Sequence, residues 1–158
     1  MEKLKNFVRK NPAFTVFFLL TLGVIAIAVF APVLATHDPY EAVLADAVQP
    51  PGPEHWFGTD RMGRDLYSRV IYGARTSLAA SLALVCIIMT AGTLLGILAG
   101  WFGGILDAVI MRISDMMISF PGMVLALAVA GILGASMTNA VIAIAVVSWT
   151  KYARLARS

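Results

Sequence analysis

The sequence predicts an all-α, polytopic membrane protein, a helical bundle with four transmembrane helices. The first observation is composition, because 59% of the 158 residues are hydrophobic and only 13% are charged, with a mean hydropathy of +0.84. The second is that the apolar residues lie in long runs with few charges, which are typical of helices that cross a bilayer. The third is that positive charge collects at both tails, which predicts cytoplasmic ends.

The first predicted membrane helix, TM1, covers residues 13–34 and carries no charge. A basic tail over residues 1–12 precedes it, with Lys3, Lys5, Arg9 and Lys10 against a single acid, Glu2. A cleaved signal peptide is the alternative, but the apolar run is longer than the ~7–15 residues of a signal h-region. The positive-inside rule places the tail in the cytoplasm and the end of TM1 outside.

Residues 35–76 are predicted to form an external loop that ends in a surface helix. Prolines and acidic residues fill its first half, whereas Leu66, Val70 and Ile71 recur at helical spacing near residues 65–75. Asp60 is expected to cap this amphipathic helix, and an ordinary solvated loop is the alternative. The polar motif residues before and within the helix are Gly58, Thr59, Asp60, Gly63, Arg64, Asp65 and Arg69.

The remaining residues, 77–158, are predicted to begin the core of the bundle. TM2 covers 78–101, TM3 covers 105–134, TM4 covers 137–152, and a basic cytoplasmic end follows at 153–158. Gly92, Gly96 and Gly100 repeat every four residues in TM2, so they share a helix face. Small residues at this spacing let two membrane helices approach closely, so this face is predicted to pack on another helix.

TM3 must include Arg112 and Asp115, because the apolar run after them is too short to cross alone. The two residues share a helix face, and charges at membrane depth normally pair or face a protein interior. We therefore expect an intramembrane polar pair, with an interfacial ion pair that only positions the helix as the alternative. Pro121 is expected to kink TM3.

Three stretches of the sequence carry a resemblance. FGTDRMGRD with the following SR and YGARTSL, then MRISDMMISFPGMVLALAVAGILG, then NAVIAIAVVSWTKYARLARS, resemble successive segments of inner-membrane permease subunits of ABC importers. The importers of that group transport dipeptides, oligopeptides or nickel. The similarity runs in order from Trp56 to Ser158, and the resemblance implies a multi-pass protein of the cytoplasmic membrane.

The resemblance implies a transport function rather than an enzyme. A permease subunit would move cargo inward by alternating access, in contact with membrane lipid and a second permease subunit. A solute-binding protein would deliver cargo outside, and cytoplasmic ABC ATPase subunits would hydrolyse ATP. The family has a coupling loop and further spans after the last motif, so the sequence resembles the N-terminal part of such a subunit. An ion channel or secondary transporter subunit is the alternative, and a membrane scaffold is a third.

Few other chemistries are indicated by the residues. The sequence has no GxxxxGK[ST] loop, so we expect no cofactor bound by the chain and ATP hydrolysis only by partner subunits. Basic residues are dispersed without an aromatic platform, which argues against nucleic acid. Cys86 is the single cysteine. Whether His37 and His55 contact a metal such as nickel is left open by the sequence.

Overall fold

The computed structural model describes residues 10–158, and every regular element within that range is helical. The elements in order are α1 (Pro12–Val29), α2 (Ala31–Leu34), a 3₁₀ turn (Leu44–Asp46), α3 (Leu66–Phe102), α4 (Gly104–Ser119), α5 (Gly122–Leu133) and α6 (Met137–Arg157). The predicted all-α class is confirmed. Most of the basic tail predicted for residues 1–12 lies outside the described residues.

The chain divides into two units, Met1–Leu78 and Ala79–Ser158. In the first unit, the segment predicted as TM1 forms α1 and the short α2, with a break at Phe30. Pro32 explains the break, because a proline has no N–H to donate and its ring collides with the carbonyl one turn earlier. Residues 35–65 then form mostly irregular chain before α3 begins.

Helix α3 differs from the predicted arrangement of a surface helix followed by a separate span. It is one continuous helix of 37 residues, which corresponds to ~55 Å at ~1.5 Å per residue. Neither a proline nor a left-handed glycine interrupts it. Since the hydrocarbon core is only ~30 Å thick, α3 is long enough for its first turns to extend beyond the bilayer.

The second unit contains α4, α5 and α6. Helices α4 and α5 meet at an angle of 96° around Phe120 and Pro121, where Pro121 takes an extended backbone conformation. Helix α6 packs on both α4 and α5. The predicted kink at Pro121 therefore corresponds to a break between two helices.

Two helices, α1 and α3, are long and apolar enough to cross a membrane, and the bent pair α4 and α5 together would make a third span. Helix α6 falls outside this set, since Thr138, Asn139, Lys151 and Arg154 leave only a short apolar middle. A polytopic helical protein is thus confirmed, whereas four spans remain a prediction.

Candidate functional site

The predicted polar motif forms a compact turn in the first unit. Gly58 and Gly63 both adopt φ of +74°, a conformation that side chains rarely tolerate. A Cβ atom at Gly63 would overlap the carbonyl oxygen of Val43, and one at Gly58 would overlap that of Gln49. Glycine is therefore needed at both positions for the backbone angle and for the close approach of neighbouring chain.

The Asp60 carboxylate accepts several hydrogen bonds from the backbone and side chains of this turn. Its Oδ1 accepts from the backbone N–H groups of Met62 at 2.8 Å and Arg64 at 3.1 Å. Its Oδ2 accepts from Arg64 Nε at 2.9 Å and from the Arg69 guanidinium. Burial opposes ionisation, but these hydrogen bonds and the charge of Arg64 outweigh it and lower the pKa of Asp60 below its ordinary value of 3.8.

Thr59 connects the turn to the chain that precedes it. The residue is 6% exposed. Its hydroxyl accepts from the backbone N–H of Gln49 at 2.8 Å and donates to the backbone carbonyl of Asp46. The motif therefore fixes the conformation of the segment around residues 46–49. The sequence of that segment alone does not specify a regular structure.

Asp65, rather than Asp60, caps α3. Its Oδ2 accepts from the backbone N–H of Ser68 at 2.7 Å, the bond that an N-cap side chain makes to the third helical residue. The expectation for Asp60 was wrong because Asp60 lies too far before Leu66, where the helix begins. Burial raises the pKa of Asp65, but hydrogen bonds from Ser68 and His55 outweigh it and lower this pKa below its ordinary 3.8.

The two histidines of the outer segment lie together beside Asp65. Their ring centroids are 4.7 Å apart, and His55 Nδ1 lies 3.0 Å from Asp65 Oδ1. The backbone N–H of His37 donates to Ser68 Oγ at 3.1 Å, which ties His37 to the first turn of α3. One ligand atom from each of His37, His55 and Asp65 lies within 4.8 Å of the others.

In the second unit, the glycine face of α3 lies against α6. A Cβ atom at Gly92 would come within 2.5 Å of the Trp149 carbonyl oxygen, and one at Gly96 would overlap that of Ala153. At Gly100 the nearest atom, the Arg157 carbonyl oxygen, would be 3.3 Å away. The three residues predicted as a packing face are thus the points where the two backbones approach.

Asp115 pairs with Arg154 of α6, not with Arg112 as expected. Arg112 forms no ion pair within residues 10–158, although it lies one turn from Asp115. The reason is that α6 packs on α4 and brings Arg154 across to Asp115 and to Ser114, whose Oγ is 3.3 Å from Arg154 Nε. Sequence reasoning missed this partner because the contact spans 39 residues.

A second acid–arginine pair lies nearby, between Asp107 and Arg157, at 2.5 Å. Asp107 and Arg157 flank a cavity of about 580 Å³ with Gly100, Asp115 and Arg154. The sequence signal for these pairs is the basic last turn of α6, which sequence reasoning used only to orient the chain. Both pairs fasten α4 to the final turns of α6.

The break at Pro121 opens an apolar cavity of about 600 Å³ between α4, α5 and α6. Its walls include Phe120, Met123, Leu127, Ile144 and Val147. Hydrophobic side chains elsewhere are also exposed, for example Phe17 at 68% and Ile132 at 86%. Such surfaces need lipid or a protein partner, because isolated soluble proteins rarely expose them at this density.

These features define a class: a polytopic helical membrane protein with a fixed polar turn and a glycine-mediated helix pair. Residues 92–158 match the family described as "Binding-protein-dependent transport system inner membrane component". The chain belongs to this family of permease components, in its dipeptide, oligopeptide and nickel permease group. It is accordingly a multi-pass protein of the inner membrane, and its family is one of transporters.

Several relatives are similar over most of the chain. "Probable D,D-dipeptide transport system permease protein DdpC" of Escherichia coli (strain K12) is 51% identical over 82% of this chain and 43% of its own length. The dipeptide permease DppC of Alkalihalophilus pseudofirmus is 43% identical over 95% of this chain and 49% of its own length. The nickel permease NikC of Escherichia coli (strain K12) is 38% identical, over 87% and 52% respectively. The chain spans about half the length of the curated relatives it matches.

Proposed function

We propose that this chain is part of the membrane-spanning permease subunit of an ABC importer that moves dipeptides, oligopeptides or nickel inward. The observation that carries the proposal is the family match over residues 92–158, which includes the helix pair and both acid–arginine pairs described above. Relatives named for dipeptide and nickel transport support two of these cargoes, and the oligopeptide cargo rests on the sequence resemblance. Alternating access is the proposed mechanism.

The second unit has a form that suits this mechanism. Helix α6 is fastened to α3 by glycine contacts and to α4 by Asp107 and Asp115, so these helices can move as one piece. Helix α5 also packs on α6, whereas the break at Pro121 separates α5 from α4. A packed group of helices can change orientation without losing its internal contacts, as a change of access between two faces requires.

The proposed partners follow from the family. A second permease subunit would cover part of the exposed apolar surface and lipid the rest, an extracytoplasmic solute-binding protein would deliver cargo, and cytoplasmic ABC ATPase subunits would hydrolyse ATP. In this proposal the chain itself binds no nucleotide.

Uptake by the reconstituted full-length complex tests the proposal. Proteoliposomes containing the permease, its ATPases and its binding protein should accumulate a labelled dipeptide or ⁶³Ni²⁺ only when ATP is supplied. A partner ATPase with its phosphate-binding lysine replaced is the matched control and should abolish uptake. Uptake that needs an ion gradient and persists without ATP would instead identify a secondary transporter and overturn the proposal.

A further inference from the structure

We propose that His37, His55 and Asp65 form a binding site for a divalent transition-metal ion of the kind that prefers imidazole ligands, such as Zn²⁺. The site lies outside the helix pair and the acid–arginine pairs, and the proposal does not depend on what the protein transports. Two imidazoles and one carboxylate are a common three-residue ligand set for such ions, with water completing the coordination.

The three ligands are already gathered by the fold. His55 and Asp65 are 3.0 Å apart, and one atom from each of the three residues lies within 4.8 Å of the others. In a tetrahedral site with metal–ligand distances of ~2.0–2.2 Å, ligand atoms are about 3.3–3.5 Å apart. Closing the cluster therefore requires shifts of at most about 1.5 Å, and the exposed side chain of His37 can contribute to them by rotation.

Two of the ligands are held in place by the surrounding structure. The Asp65 side chain is 1% exposed and that of His55 is 11% exposed. Asp65 is fixed by its cap bond to Ser68. Because His55 and Asp65 are already held, binding would order few further side chains, and this favours affinity.

The electrostatic surroundings favour a cation. The cluster lines a cavity of about 580 Å³. Among the described residues, its lining contains no lysine or arginine and four more carboxylates: Asp38, Glu41, Asp46 and Glu54. Carboxylates around a cavity raise the local concentration of cations. The cavity also leaves room for the water ligands that three protein ligands would need.

A purely structural role is the competing explanation, in which His55 only donates a hydrogen bond to Asp65. The two roles differ at His37. Its side chain is exposed, and the hydrogen bond that its ring makes within residues 10–158 is to the neighbouring Thr36 hydroxyl, with Nδ1 and Oγ1 3.0 Å apart. A structural hydrogen bond between His55 and Asp65 does not need the His37 ring, whereas a metal site does.

The test is Zn²⁺ binding to the full-length protein, purified in detergent through a tag without histidines and stripped with a chelator. We expect about one Zn²⁺ per chain after gel filtration, and competition with a chromophoric chelator gives the affinity. Since replacing a residue that only hydrogen-bonds a metal ligand already costs ~10–100-fold in metal affinity, His37→Gln, His55→Gln and Asp65→Asn should each weaken binding at least tenfold. Asn retains the cap acceptor, so Asp65→Asn separates coordination from helix capping.

Glu54→Gln is the matched control, because Glu54 lines the same cavity but is outside the cluster. It should bind Zn²⁺ nearly as well as the wild type, and excess Mg²⁺ should not compete, since that ion prefers oxygen ligands. Zn²⁺ X-ray absorption should detect two imidazoles. Substoichiometric binding, or an affinity that His37→Gln leaves unchanged, would overturn the proposal, and the result stands whatever the uptake assay shows.

Discussion

Single residues in the polar turn determine where the irregular chain of the first unit lies. Thr59 holds the backbone at Asp46 and Gln49, and Gly63 lets the carbonyl of Val43 approach. The turn thereby acts on chain that lies ten or more residues earlier. Its residues are needed as much for this long-range contact as for the turn itself.

Gly63→Ala should destabilise the protein, whereas Gly73→Ala should not. Alanine at position 63 would combine φ of +74° with overlap of the Val43 carbonyl, and the left-handed conformation alone costs ~1–2 kcal/mol. Gly73 lies inside α3 with nothing near its Cβ position, so alanine there should add stability, by ~0.5–1 kcal/mol. Thermal unfolding in detergent measures both. Equal melting temperatures for the two variants would contradict the account.

The local part of this site could be predicted from the sequence, and the distant part could not. Glycines and an aspartate in FGTDRMG indicate a turn, because their backbone preferences are local. The approach of Val43 and the meeting of His37 with Asp65 depend on how the mostly irregular residues 35–65 fold, which no periodicity encodes. Asp60 was mistaken for the cap because its type suits a cap as well as that of Asp65 does.

At the scale of elements, the contact between α3 and α6 was easier to predict from the sequence than the ion pairs between α4 and α6. Strict spacing placed Gly92, Gly96 and Gly100 on one face, although it did not identify α6 as the partner. The ion pairs were less predictable, because Arg112 and Arg154 are equally plausible partners for Asp115 until the helices are packed. Helix periodicity predicts which residues share a helix face, and tertiary packing determines which faces are in contact.

Alanine substitutions on the glycine face should rank by how closely α6 approaches. Gly96→Ala and Gly92→Ala should lower folded yield and melting temperature strongly, and Gly100→Ala only slightly, since its nearest neighbour is 3.3 Å away. Gly131→Ala is the control, because nothing lies within 4 Å of its Cβ position. Fluorescence-detected gel filtration and thermal unfolding give the order. If all four variants lose the same stability, close packing on α6 is not the cause.

The Asp115–Arg154 pair should show coupling that Asp115 and Arg112 do not. In a double-mutant cycle with alanine, Asp115 and Arg154 should be non-additive, because removing either leaves the other charge unpaired. Both side chains are about half exposed, at 56% and 45%, so water screening limits the coupling to ~0.2–1 kcal/mol. The matched cycle with Arg112→Ala should be additive. Coupling to Arg112 instead would restore the pair expected from sequence.

At the scale of the whole molecule, hydropathy gives the class more reliably than the number of crossings. The composition could not be that of a soluble domain, and the all-helical structure agrees. The count is harder, because α3 is longer than a span and α4 and α5 are each shorter than one. Hydropathy sums apolar residues along the chain, but it does not register the 96° bend between α4 and α5. A bent pair can cross the bilayer or re-enter the side from which it came.

The turn before α6 decides between these arrangements. If α4 and α5 cross as a broken span, as four spans require, residues 135–139 lie outside with the loop at 35–76. If the pair is re-entrant, the turn lies in the cytoplasm. We predict the first, because the basic last turn of α6, with Arg154 and Arg157, is then cytoplasmic, as the positive-inside rule favours.

Single-cysteine labelling measures this on a Cys86→Ser background. Thr138→Cys and Glu41→Cys, both exposed, should react with a membrane-impermeant maleimide in right-side-out vesicles. Ser158→Cys should react only in inside-out vesicles. Labelling of Thr138→Cys only in inside-out vesicles, with Glu41→Cys still labelled in right-side-out vesicles, would show that α4 and α5 re-enter. Labelling of Glu41→Cys only in inside-out vesicles would reverse the orientation. Each outcome corresponds to one arrangement, because the bent pair either carries the chain across the bilayer or returns it.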